Sequence, residues 1–142
     1  MPWSGLEQGN ETMIERNLAT VAEHIEIEAR DPALVMALYT DDIVLEFPDR
    51  NLLFEGKPAI EANYRRMFGA IRLESLQPLD RFATEDRVVD DMVARFEILD
   101  EGFDNCPFQP GAKVALRLVH VFHMRDGLIA REIVHENWQL AS

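Results

Sequence analysis

The chain has 142 residues, of which 47% are hydrophobic and 28% charged, the balance of a globular protein with a substantial core. Its formal net charge of -12 repels phosphate backbones and anionic lipids, so we expect neither nucleic acid nor a membrane as a partner. The single cysteine, Cys106, excludes an internal disulfide and fits a reducing compartment.

Residues 1–10 are predicted to form a flexible N-terminal tail, with one domain over residues 11–142. The tail lacks the basic patch and following apolar run of a secretory signal. No stretch approaches the roughly 20 apolar residues that a membrane helix needs. The expected localisation is therefore cytoplasmic.

Three helices are predicted in the first half of the chain. The first covers residues 11–30, where an apolar stripe recurs at helical spacing. The stripe consists of Ile14, Leu18, Val21 and Ile25. The second helix begins after Asp31, a capping residue followed by proline, and ends near residue 39. The third covers residues 59–69 and is again introduced by proline, at Pro58.

The remainder of the chain is predicted to be strands joined by turns. The predicted strands are residues 43–47, 52–54, 72–83, 87–99, 112–124 and 128–140. Asp41 and Asp42 are predicted to turn the chain before the first of them, and Asp126-Gly127 has the chemistry of a hairpin turn before the last. Pro78 makes residues 72–83 the weakest of the six. Helices followed by antiparallel strands indicate an α+β fold with helices packed on one face of a curved sheet.

Three short motifs resemble one superfamily. The sequence LYTDDIVLEFP at residues 38–48 resembles the signature of ketosteroid isomerases and SnoaL-like polyketide cyclases, which share the fold of nuclear transport factor two. GKPAI at residues 56–60 is similar to the entry of that family's third helix, and residues 120–129 resemble its closing hairpin. The resemblance spans residues 12–140. It implies a conical α+β barrel, in which three N-terminal helices pack on a curved, mostly antiparallel sheet, and often a homodimer.

The same resemblance implies acid–base chemistry on a hydrophobic small molecule without a cofactor. His120 matches the position of the cyclase histidine. Phe47 stands where the isomerases have a general-base aspartate, and Val134 stands where the cyclases have their acid. Glu132 and Glu136 flank Val134 on the same strand face.

His120 and Glu132 are the candidate catalytic residues. His120 shares a strand face with apolar residues, so burial is expected to lower its pKa and keep it neutral. If the face of Glu132 points inward, burial would raise the pKa of its carboxyl and suit it to general-base work. The alternatives are a core histidine bonded to a backbone carbonyl, and a glutamate on a solvated outer face. Glu136, near the strand end, is expected to be exposed.

Seven further residues are candidates for a substrate-binding wall, although such residues more often belong to a core. They are Phe47, Tyr64, Leu118, Phe122, Val134, Trp138 and, at the mouth of the pocket, His24. The default for His24 is exposure, because it lies off the apolar stripe of the first helix. No metal is predicted, since His120 and His123 point to opposite faces of one strand.

The favoured interpretation is a cofactor-independent cyclase, isomerase or lyase that acts on a hydrophobic carbonyl compound, with His120 and Glu132 sharing the proton transfer. The alternative is a non-catalytic binding or accessory protein, which the apolar residues Phe47 and Val134 favour. An epoxide-hydrolase-like reaction ranks last, because it needs two carboxylates and an arginine around one water and only Glu132 is a good candidate.

Overall fold

A computed structural model describes residues 11–141 of the chain, so the predicted tail and Ser142 lie outside the described residues. The helices are α1 (Met13–Ile27), α2 (Pro32–Val35) and α3 (Lys57–Gly69), with 3₁₀ turns at Met36–Leu38 and Pro48–Arg50. The strands are β1 (Tyr39–Phe47), β2 (Leu52–Glu55), β3 (Ile71–Ala83), β4 (Arg87–Ile98), β5 (Lys113–Arg125) and β6 (Leu128–Leu140). No helix in this range is long and apolar enough to cross a membrane.

The six strands form one sheet in the order β2-β1-β6-β5-β4-β3. All neighbouring strands are antiparallel except β1 and β6, which run parallel. The sheet is not closed: within the described residues β2 and β3 are its two edges. The three helices pack on this mixed sheet, so the predicted α+β class is confirmed.

Two local predictions about β1 and β3 need correction or explanation. The second helix does not reach Tyr39, which already begins β1, and Asp41 and Asp42 lie in the strand at a register shift instead of forming a turn. Pro78 does not break β3, because β3 is an edge strand and its register shifts between Pro78 and Asp80.

The buried face of α1 differs from the predicted stripe. Ile14 is 38% exposed, whereas Asn17, Val21 and His24 are buried. The Asn17 amide donates to the carbonyl oxygens of Thr84 and Glu85 in the β3–β4 turn, which anchors the start of the helix. The helix thus turns a partly polar face to the sheet, and this face reaches the candidate site.

The turn between β5 and β6 follows the predicted hairpin chemistry. Asp126 and Gly127 both have positive φ, 54° and 76°, the pattern of a type I′ turn. The Gly127 carbonyl also accepts a hydrogen bond from Thr20 of α1. The hairpin that carries the two predicted catalytic residues is therefore fixed against the first helix.

Gly56, which precedes α3, has φ +85° and ψ 157°, a region that residues with a Cβ avoid. We expect Gly56→Ala to destabilise the fold by about 1–3 kcal/mol, because the backbone must stay strained or α3 must re-seat. Gly69→Ala in the same helix is the matched control, since a Cβ there meets nothing within 4 Å. Urea denaturation midpoints measure both, and equal midpoints would contradict the prediction.

Candidate functional site

A cavity lies between α3 and the inner face of β3–β6. It is lined mainly by apolar side chains, together with His120 and three glutamates, Glu28, Glu132 and Glu136. Its volume is about 60 Å³, and a water molecule requires roughly 10–15 Å³. Leu76, one of its lining residues, is 39% exposed. The cavity has room for a small molecule or for one end of a larger one.

The predicted binding residues divide into two groups. Phe47, Tyr64, Leu118 and Val134 line the cavity, as do both candidate catalytic residues, His120 and Glu132. The other three residues, His24, Phe122 and Trp138, are not among the lining residues. Phe122 is fully buried between His24 and His120, and Trp138 packs against Phe96, Phe103 and Phe108 in a second core cluster.

Glu132 is 1% exposed and is held by two tyrosine hydroxyls. Its Oε1 lies 3.3 Å from the hydroxyl of Tyr39 and 3.2 Å from that of Tyr64. The two hydroxyls are themselves 2.7 Å apart. Two hydroxyl protons serve three contacts, so at any time one tyrosine donates to the other or both donate to the carboxylate.

His24 supplies the positive charge for this carboxylate. Its side chain is completely buried, so the expectation of exposure is not met. Its Nε2 lies 2.9 Å from Oε2 of Glu28 and 3.5 Å from Oε1 of Glu132. The ring N–H is not aligned on either oxygen, so we describe the contacts as ion pairs and not as hydrogen bonds. Burial alone would lower the pKa of His24, but the charges of Glu132 and Glu28 outweigh it and raise the pKa to about 10.

The pKa of Glu132 is lowered, which reverses the sequence-based expectation. Burial would raise it, as expected, but the charge of His24, with contributions from His120 and the hydroxyl of Tyr64, outweighs that effect. Burial and the charge of Glu132 also raise the pKa of both tyrosines well above the ordinary value. Glu132 is thus an ionised carboxylate at neutral pH, surrounded by groups that keep their protons.

His120 also differs from its predicted state. Burial would lower its pKa, but contact with Asp90 and the charges of Glu132 and Glu28 raise it. Its Nδ1 lies 3.4 Å from Oδ2 of Asp90, and its ring stacks on Phe122 with centroids 5.7 Å apart. His120 and Glu132 are not hydrogen-bonded to each other. In the antiparallel register His120 opposes Val134, and Phe122 opposes Glu132, so the two candidates are diagonal neighbours on one face.

His24, Glu28 and Glu132 place three potential ligand atoms within 4.8 Å of one another, a set that the sequence did not suggest. A divalent cation and a proton are alternative ways to balance two buried carboxylates. The separation of 2.9 Å between Nε2 of His24 and Oε2 of Glu28 fits an ion pair with a protonated imidazole, the form that the raised pKa of His24 describes.

Glu136, expected to be exposed, has a side chain only 1% exposed. Its two carboxylate oxygens accept hydrogen bonds from Nε and Nη2 of Arg50, at 2.9 and 3.2 Å. The Arg50 guanidinium also lies over the rings of Phe47 and Phe103. The sequence predicts one carboxylate in the pocket, Glu132, whereas in the structure Glu28 and Glu136 also line the cavity.

The profile of the SnoaL-like domain family matches residues 19–132 of the chain. The chain belongs to the SnoaL-like domain family. No curated protein sequence matches it.

Solved structures similar to this SnoaL-like domain carry several functional descriptions. A candidate polyketide cyclase from Xanthomonas campestris pv. campestris has TM-score 0.74 and 21% identity, covering 89% of this chain and 93% of that one. A candidate isomerase from Bacillus subtilis has TM-score 0.72 and 20% identity, covering 89% and 90%. An LEH-like epoxide hydrolase from M. tuberculosis has TM-score 0.68 and 18% identity, covering 87% and 84%. At these identities the likeness establishes the fold alone.

Four polar residues of this SnoaL-like site were missed in the sequence: Glu28, Tyr39, Arg50 and Asp90. Glu28 and Asp90 each have a periodic signal. Glu28 follows His24 by four residues, which places both on one face of α1. Asp90 has the parity of Met92 and Ala94, which alternate inward along β4. Asp90 lies between the buried Val88 and Met92 in this series, and Glu28 follows the buried His24 along the inner face of the helix.

The pKa of His24 predicts how the stability of this SnoaL-like domain depends on pH. Its folded pKa of about 10 exceeds the ordinary histidine pKa of 6.5, so the folded state binds an additional proton between these two pH values. The resulting stabilisation is complete below pH 6.5 and is lost as the pH rises towards 10. We expect the melting temperature to fall over this range.

Replacing His24 should remove most of that pH dependence. In His24→Gln we expect a lower melting temperature at neutral pH and a flatter profile towards alkaline pH. His135→Gln, which changes an exposed histidine of β6, is the control and should follow the wild-type profile. Identical slopes in His24→Gln and the wild type would show that His24 is not the group that loses the proton.

Proposed function

We propose that this protein is a SnoaL-like enzyme that performs cofactor-independent acid–base chemistry on a hydrophobic carbonyl compound, as a cyclase, isomerase or lyase. One observation carries the proposal. An ionised carboxylate, Glu132, and an imidazole with raised pKa, His120, line the same largely apolar cavity. A base without its proton and an acid with its proton are the two groups that enolisation of a carbonyl compound requires.

The positions of His120 and Glu132 suit proton transfer to a carbonyl oxygen and from the adjacent carbon. The backbones of diagonal neighbours on adjacent strands are about 7–8 Å apart, and both side chains line one cavity, so a carbonyl group and its adjacent carbon can contact both. His120 donates a proton to the carbonyl oxygen while Glu132 removes a proton from that carbon. The C–H electron pair becomes the enol double bond. Return of the proton at another carbon isomerises the substrate, whereas attack of the enol carbon on an electrophile closes a ring.

The wall supports a hydrophobic substrate. Phe47, Leu118 and Val134 contribute apolar surface, and Tyr64 presents its ring to the cavity while its hydroxyl holds Glu132. The low polarity strengthens the electrostatic interactions of both charged groups with a developing enolate. The cavity volume of about 60 Å³ supports a substrate that binds with its reactive end inside and extends from there towards solvent.

A second candidate is a non-catalytic protein that binds a hydrophobic ligand in the same cavity. The observation in its favour is that Phe47 and Val134, at the two positions where the family places acids, both line the cavity. The lowered pKa of Glu132 also makes its carboxylate a weaker base. This candidate predicts ligand binding without proton exchange.

Hydrogen exchange next to a carbonyl distinguishes the two candidates. We expect the protein to catalyse deuterium incorporation from deuterium oxide into hydrophobic ketones such as cyclohexanone and tetralone, followed by proton NMR. Glu132→Gln and His120→Gln should each slow this exchange by roughly 10²–10⁴-fold, the usual contribution of one acid–base group.

Glu46→Gln is the control, because Glu46 lies on β1 outside the cavity lining and pairs with Arg131. Exchange at the wild-type rate in Glu132→Gln and His120→Gln would overturn the proposed roles. Ketone-induced thermal stabilisation without any exchange would support the binding protein instead.

A further inference from the structure

Asp90 is a buried carboxylate that the proposed mechanism does not use. It lies on β4, is 1% exposed and is absent from the cavity lining. In the antiparallel register it stands directly opposite His120 of β5. A buried carboxylate requires compensation by a cation or by hydrogen bonds.

Asp90 divides its two oxygens between two partners. Its Oδ1 accepts a hydrogen bond of 2.7 Å from Nε of Arg81, a residue of β3 whose side chain is 28% exposed. Its Oδ2 lies 3.4 Å from Nδ1 of His120. Neither Oδ2 nor Nδ1 has another hydrogen-bond partner among the described residues. Each is therefore the available partner of the other.

This contact determines which ring nitrogen faces the substrate. A proton on Nδ1 can be shared with Asp90, which leaves Nε2 for the cavity that His120 lines. Stacking on Phe122, with an interplanar angle of 19°, limits rotation of the ring. We propose that Asp90, anchored by Arg81, is a positioning residue that holds His120 with Nδ1–H towards β4 and Nε2 towards the substrate. The inference rests on the proposed function in that it assigns His120 the role of proton donor.

Several charged groups surround His120, so Asp90 is one contributor among others to its titration. Asp90 and Arg81 face it from β4 and β3. Glu132 faces it from β6 and Glu28 from α1. Loss of Asp90 should therefore lower the pKa of His120 without returning it to that of an isolated buried imidazole.

The neighbouring residue provides a matched control. Asp91 carries the same side chain one position along β4 and pairs with Arg117 in the way that Asp90 pairs with Arg81, but on the opposite face. In Asp90→Asn we expect the pKa of His120, followed by nitrogen NMR of ring-labelled histidine, to fall by about one pH unit or more. The preference for Nδ1–H in the neutral ring should also weaken. Asp91→Asn should change neither property.

A second pair of variants keeps the test decisive if Asp90→Asn does not fold. Arg81→Gln removes the cation behind Asp90, so the pKa of His120 should rise, opposite in direction to the effect of Asp90→Asn. Arg117→Gln is its control and should have no effect. An unchanged pKa and tautomer of His120 in the folded variants of this series would overturn the inference.

The kinetic readout separates this inference from the proposed function. In Asp90→Asn we expect kcat for ketone exchange to fall by roughly 10–100-fold, part of the 10²–10⁴-fold that one acid–base group supplies, with little change in KM. The limb of the pH–rate profile assigned to His120 should move with its NMR pKa. Exchange that persists in His120→Gln refutes the proposed function, whereas an unaltered imidazole in Asp90→Asn refutes the positioning role alone.

Discussion

The structure depends on the need to balance the carboxylate of Glu132, which is buried in the wall of a largely apolar cavity. A buried, unpaired charge costs several kcal/mol, about as much as a domain's whole margin of stability. Three elements meet this need: α1 supplies His24, β1 supplies Tyr39 and α3 supplies Tyr64. The contacts that pack α1 and α3 on the sheet are therefore also the contacts that form the site.

Pairing also decides where the protons lie. Burial taken alone would lower the pKa of the imidazole and raise that of the carboxyl, the two shifts expected from the sequence. The structure reverses both, because carboxylates and imidazoles are buried together and each stabilises the charged form of the other. Under the proposed function, this mutual stabilisation favours the acid form of His120 and the base form of Glu132 before a substrate binds.

The parts of this fold that the sequence predicts are those governed by local periodicity. Alternation along β4, β5 and β6, and the Asp126-Gly127 turn, place His120 and Glu132 on one face without knowledge of distant contacts. The face of α1 was not predictable in the same way. Its buried residues include Asn17 and His24, whose partners are far along the chain, and hydropathy assigns such residues to the surface. Tyr39 was misplaced for a related reason, since its strand pairs in parallel with the distant β6.

The cationic side chains that pair with Glu132 and Glu136 do not themselves line the cavity. Arg50 holds Glu136 from the far side, His24 holds Glu132 without lining the cavity, and no lysine or arginine appears among the described lining residues. A ligand therefore meets apolar side chains, carboxylate oxygens and the imidazole of His120. An anionic compound would have to lose its hydration against this wall and would find one imidazole in return. An uncharged carbonyl compound loses less hydration, so this distribution of charge supports the proposal of a neutral substrate.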